Sequence, residues 1–128
     1  MRAVLDTNVI ISALLFDGVP ERVVLLLLGG RGVIVLSPFI VEETSRILKT
    51  KFNVDPAHIA LLQQLFEQAE MQYFQPYLHV LDDEPDNRIL ETALTGHADY
   101  IVTGDKLLLA QKSYKGVKTL KPADFLGL

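Results

Sequence analysis

Four acidic residues are spaced so that a parallel sheet would bring them together. Asp6 directly follows the apolar run Ala3-Val4-Leu5. Asp105 closes Thr103-Gly104-Asp105, just after Tyr100-Ile101-Val102. Asp86 opens the helical stretch that leads into that run, and Glu43 lies one to two turns into a helix announced by Ser37-Pro38. A carboxylate at the end of a buried strand is desolvated, and several such groups repel one another. A divalent cation is the usual compensation. Oxygen ligands without cysteine or histidine select a hard ion, Mg2+ or Mn2+. Held with positions open to water and phosphate, such ions support phosphodiester hydrolysis: one can activate water, and a second can stabilise the leaving oxygen.

Each acid also has a plainer reading. Asp6 alone is a helix N-cap, Glu43 an exposed helix residue and Asp86 a turn or cap residue. Asp105 is the least easily explained away, because Thr-Gly-Asp at a strand end exposes it. Glu91, five residues after Asp86, can pair with Arg88 or support a metal. Asp82, Asp83 and Glu84 read as solvated loop acids, and Asp99 as a turn residue. His58, His79 and His97 lack metal-type spacing and read as structural.

The elements that must position these acids are legible in outline. Ala3 to Leu5 reads as a buried strand, followed by a helix over Val9 to Leu15 capped by Thr7 or Asn8. Pro20 and Gly29-Gly30 bracket a second helix through Val23 to Leu28, apolar nearly all round. Such a helix is either fully buried or part of a subunit contact. Val33 to Leu36 is a second strand. Ser37-Pro38 starts a helix that runs to about Thr50, and Asp55-Pro56 starts another carrying Ile59, Leu62, Leu65 and Phe66. Met71 to Phe74 and Tyr77 to Leu81 read as extended segments broken by Pro76. An acidic turn then leads to a helix over Asn87 to Thr95, stopped by Gly96. Tyr100 to Val102 is a strand, Lys106 to Ala110 a short helix, Val117 to Leu120 a last strand and Pro122 to Leu126 a final helical turn. Alternating strands and helices with near-continuous apolar strands predict an α/β fold with a mainly parallel sheet covered on both faces. In such sheets function lies at the carboxyl ends of the strands.

Composition narrows the class further. The 128 residues, 49% hydrophobic, suffice for one domain with a real core. Cysteine is absent, which excludes a disulfide framework, a thiolate nucleophile and a cysteine zinc site. The longest apolar run, Val23 to Leu28, falls short of the roughly 20 residues a bilayer requires. The opening Met-Arg-Ala-Val-Leu-Asp has no apolar leader, so a soluble, cytoplasmic protein is expected. A net charge of −4 argues against a simple basic DNA-coating protein. The charge is unevenly placed, however. Lys106, Lys112, Lys115, Lys118 and Lys121 form a basic flank beside the acidic centre, suited to holding a metal and a polyanion together.

Four segments carry a resemblance. They are Val4-Leu-Asp-Thr-Asn-Val9, Ser37-Pro-Phe-Ile-Val-Glu-Glu-Thr-Ser-Arg-Ile-Leu48, Asp83-Glu-Pro-Asp-Asn-Arg-Ile-Leu-Glu-Thr-Ala93 and Ala98-Asp-Tyr-Ile-Val-Thr-Gly-Asp105. In this order and spacing, from Arg2 to about Leu126, the chain resembles the PIN-domain family. It is most similar to the family's VapC-like branch of prokaryotic toxin–antitoxin systems. The resemblance implies a three-layer α/β/α sandwich over residues 1–128 and Mg2+- or Mn2+-dependent RNA cleavage. Asp6, Glu43, Asp86 and Asp105 are the implied ligands. Glu42 competes with Glu43, which is preferred because Leu48 then follows at the family's spacing. Thr7, Asn8 and Thr103 match the family's supporting polar positions. A cognate antitoxin and a homodimer are implied as partners. Arg46, Lys49 and Lys51 either solvate their helix or touch RNA or a partner's acidic tail.

Two other functions compete. A phosphatase or receiver of another α/β type needs a second acid where Asn8 stands, or a phospho-acceptor where Ser37 stands. A catalytically silent binding module would keep the fold but bind no divalent ion.

Overall fold

The computed structural model describes residues 1–128. Its centre is a six-stranded sheet in the order β3-β2-β1-β4-β6-β5. The strands are β1 (Arg2–Leu5), β2 (Val33–Leu36), β3 (Glu70–Met71), β4 (Tyr100–Val102), β5 (Ser113–Tyr114) and β6 (Val117–Leu120). All neighbours run parallel except the edge hairpin β5–β6. The central strands are buried on both faces, as their unbroken apolar sequences require: Ala3, Val4, Leu5, Val35, Leu36, Ile101 and Val102 are inaccessible.

The helices are α1 (Thr7–Leu15), α2 (Val19–Leu26), α3 (Pro38–Lys51), α4 (Pro56–Gln68), α5 (Glu84–Thr95), α6 (Lys106–Ala110) and α7 (Pro122–Leu126). α5 packs across β1, β2 and β4, whereas α1 packs with α2, α3 and α4, and α2 with α7. Right-handed connections between parallel strands place these two groups on opposite faces. The expected α/β/α sandwich is therefore present.

Several local expectations change. α1 begins at Thr7 because Asp6 itself is the cap, accepting the Thr7 N–H at 2.7 Å. α5 begins at Glu84, three residues early, because Asp83 caps it. α2 is not buried all round: Val23, Val24 and Leu27 face the core, while Leu25 is exposed. Of the segments expected to be extended, Met71 to Phe74 and Tyr77 to Leu81, only Met71 lies in a strand, β3 (Glu70–Met71). Beyond it the backbone is pinned by buried side chains of α5 instead of a ladder.

Gly96 does more than stop α5. A Cβ there would lie 2.4 Å from Val35 Cγ1 and 3.0 Å from Gln72 Cγ. Val35 is fully buried in the central sheet and has nowhere to move. Gly96→Ala is expected to destabilise the fold by about 1–3 kcal/mol through overpacking, read as a lower denaturant midpoint at unchanged slope.

Candidate carboxylate metal centre

The ends of β1 and β4 deliver Asp6 and Asp105. Both are helix N-caps as well as strand-end acids, so the plain and the chemical readings coexist. Asp6 Oδ1 accepts the Thr7 amide, and its Oδ2 accepts the Thr103 hydroxyl at 2.7 Å. That hydroxyl accepts in turn from the Asp105 amide at 2.9 Å, locking the two strand ends to each other. Asp105 uses Oδ1 to accept from the Leu107 and Leu108 amides, at 2.8 and 3.1 Å.

Asp86 comes from the first turn of α5 and is nearly buried. The charge of Asp105 acts on its carboxylate, whose Oδ2 is buried with no hydrogen-bond partner. Glu43, in the second turn of α3, contributes its charge to the field at Asp6. Glu42 faces away, into the groove between α3 and α4 beside Arg46 and Lys49. The geometry thus brings Asp6, Glu43, Asp86 and Asp105 to one end of the sheet and leaves Glu42 out.

The electrostatics record the crowding. Burial raises Asp6 to about 6; the Thr103 and Thr7 hydrogen bonds oppose the rise, and the Asp105 and Glu43 charges add to it. Burial, then the charges of Asp105 and Asp83, push Asp86 to about 7. As placed, no three acidic or histidine side chains converge to enclose an ion. The donor set is nonetheless suited to a hard divalent cation: it is made of carboxylates, two of them hold protons far above their usual range, and one buried oxygen lacks a partner.

The supporting residues divide. Thr103 bridges Asp6 and Asp105. Thr7 contributes its amide, while its own buried hydroxyl has no partner. Asn8 is exposed and makes no hydrogen bond. Glu91 is taken up by the first of its two sequence readings, the pair with Arg88, and not by the acid cluster. Fully buried, it ion-pairs with Arg88 and accepts the backbone amides of Tyr77 and Leu78. Ser37 gives no side-chain cap to α3; its Oγ accepts from Thr92 at 2.8 Å.

The basic flank also separates. Lys106 adjoins Asp105, and Lys121 lies one residue past β6 at the same sheet edge. Lys118 pairs with Tyr100, where β4 begins, and Lys115 lines a hollow with His97 and Ala98 at the opposite edge. Their even spread in sequence hid this, because a strand carries its two ends to opposite edges of the sheet.

Residues 2–107 match the PIN domain family. The chain belongs to the PIN-domain family. No curated protein matches it significantly. PIN domains are generally nucleases and typically use divalent metal ions, which agrees with an all-carboxylate site. In this PIN domain the matched span ends just past Asp105, yet β6 extends the same sheet beyond it through its pairing with β4.

Asn87 escaped the sequence reading. It is fully buried; Oδ1 accepts from Val80 N–H at 3.1 Å and Leu81 N–H at 2.9 Å, and Nδ2 donates to the Leu81 carbonyl at 2.8 Å. Its signal was available: 87, 90 and 91 share one helical face, so Asn87 and Glu91 are polar groups at core-facing positions beside Leu90. Asn87→Ala leaves those backbone groups unmet in the PIN domain. A loss of about 1–3 kcal/mol is expected by denaturant titration.

Proposed function

We propose that the chain is a Mg2+- or Mn2+-dependent endoribonuclease, acting as one unit over residues 1–128, with Asp6, Glu43, Asp86 and Asp105 as metal ligands. The observation that carries this reading is the pair of proton-retaining acids, Asp6 and Asp86, set among further carboxylates with one buried oxygen unpartnered. A bound divalent ion supplies charge compensation and Lewis acidity for phosphodiester hydrolysis. The protein's own part is orientation. The Thr103 hydroxyl holds Asp6 and Asp105 in register, and the α5 N-terminus carries Asp86 to them. Lys106 and Lys121 make no ion pair with any carboxylate and lie at this edge, available to phosphate.

Resemblance to the VapC-like branch supports a toxin held inactive by a cognate antitoxin, acting as a homodimer in the cytoplasm. Exposed Phe16 and Leu25, beside the α1–α2 pair, are the apolar surface offered for dimerisation. Light scattering at the monomer mass would remove the dimer. No helix is long and apolar enough to cross a membrane.

Incubation with single-stranded RNA tests the activity: cleavage is expected with Mg2+ or Mn2+ and not in EDTA. Cleavage that survives chelation would sink the proposal. A catalytically silent binding module that keeps the fold is the second reading. Absence of any divalent-ion binding by calorimetry would select it.

A further inference from the structure

Sheet register places five residues in a row just beyond the strand ends. Two steps past the paired positions Val4–Val35, and one step past Leu5–Val102, Val102–Leu120 and Leu36–Met71, the row reads Gln72, Ser37, Asp6, Thr103, Lys121. The amides of Gln72, Asp6 and Thr103 still donate to neighbouring strands, at 2.8, 3.0 and 2.9 Å, so the row is held by the sheet. At parallel-strand spacing it spans roughly 19 Å. Asp6 is at its centre, the unpaired ammonium of Lys121 at one end and Tyr73 just past the other.

Tyr73 is unusual for its size, being 75% exposed. Its neighbour Phe74 turns inward and packs on Phe39, ring centroids 5.3 Å apart. Successive residues of an extended chain point to opposite sides, so anchoring Phe74 presents Tyr73 to solvent. The rest of the segment is fixed as well. Glu91 holds the amides of Tyr77 and Leu78, Asn87 those of Val80 and Leu81, and Arg88 the Leu78 carbonyl. Tyr77 is also half-exposed. A segment bound by three side chains of the helix that carries Asp86, two of them fully buried, is a rigid mount for exposed rings.

We infer that Tyr73 is a base-stacking platform for a single-stranded nucleic acid lying along this row, with a phosphate of the same strand on Lys121 and the acids between them. The inference rests on the nuclease reading and adds to it the residue that holds the unpaired strand. The face of a tyrosine ring stacks on any unpaired base, whereas bases in a duplex already stack on each other. Lys121 binds phosphate without regard to sequence.

Fluorescence anisotropy with a short labelled oligouridylate tests it, in Mg2+ and with Asp105→Asn to halt cleavage. Tyr73→Ala should weaken single-strand binding roughly five- to hundredfold, and Tyr73→Phe should bind like the parent. A duplex of the same length should bind weakly and not respond to Tyr73. Equal binding by Tyr73→Ala and parent overturns the platform, as does an equal loss in Tyr73→Phe. If the active protein cleaves RNA while Tyr73→Ala leaves binding and KM untouched, only the platform falls. If the unsubstituted protein neither binds nor cleaves a single strand, the nuclease reading falls with it.

Discussion

In metal-free buffer at pH 8, Asp6→Asn should melt several degrees above the parent protein. Asp6 is 6% exposed, and its folded pKa is about 6 against an ordinary 3.8. A raised carboxylate pKa means the fold prefers the protonated form. That preference contributes stability fully below pH 3.8 and loses it as pH rises through about 6. Above that window the ionised group costs the fold up to about 3 kcal/mol. Asparagine cannot ionise, keeps an acceptor for the Thr7 amide, and can donate to Thr103 once that hydroxyl turns. For a chain of this size each kcal/mol moves Tm by roughly 3–5 °C. The advantage should vanish near pH 4. A lower Tm for the variant at pH 8, or a gain independent of pH, would show that Asp6 is an ordinary helix cap. Asp86, raised to about 7, should behave in the same sense over a slightly higher window.

The same substitution should reduce RNA cleavage by more than a hundredfold at saturating Mn2+. Outer-shell partners of metal ligands are commonly worth 10- to 100-fold in affinity or activity, and a direct ligand should exceed them. Asp6 combines both kinds of contact, since it is tied through Thr103 to Asp105. Its loss removes a charge and loosens the second strand end. The stabilising and inactivating effects of Asp6→Asn belong together: a site that buries ionised carboxylates gains stability when one is removed and loses the ion those charges would hold. Retention of more than a tenth of the activity would place the chemistry elsewhere.

The sheet was legible because its strands are short, unbroken apolar runs followed by capping residues. Asp6 and Asp105 were legible for the same reason, since the residue that ends a buried strand must either cap a helix or meet solvent. Glu43 over Glu42 needed the helix phase, which adjacent acids alone do not reveal. Glu91 was left between two readings because a glutamate on an amphipathic helix looks the same whether it faces a metal or an arginine; the structure gives it the arginine. What holds the Tyr77 to Leu81 segment was not legible, because its backbone partners are side chains distant in sequence, Asn87 and Glu91, and no local periodicity encodes such contacts. The lysine flank looked continuous because sequence spacing does not show at which edge of the sheet a residue emerges.

Calorimetric titration of Mn2+ at pH 6.5, in two buffers of different ionisation enthalpy, tests the metal centre most directly. Ligation requires deprotonated carboxylates, and Asp6 and Asp86 hold part of their protons at that pH. Binding should release protons at pH 6.5, release almost none at pH 9, and be lost in Asp105→Asn. Binding without proton release, or undiminished binding in Asp105→Asn, would contradict a centre built from these four acids.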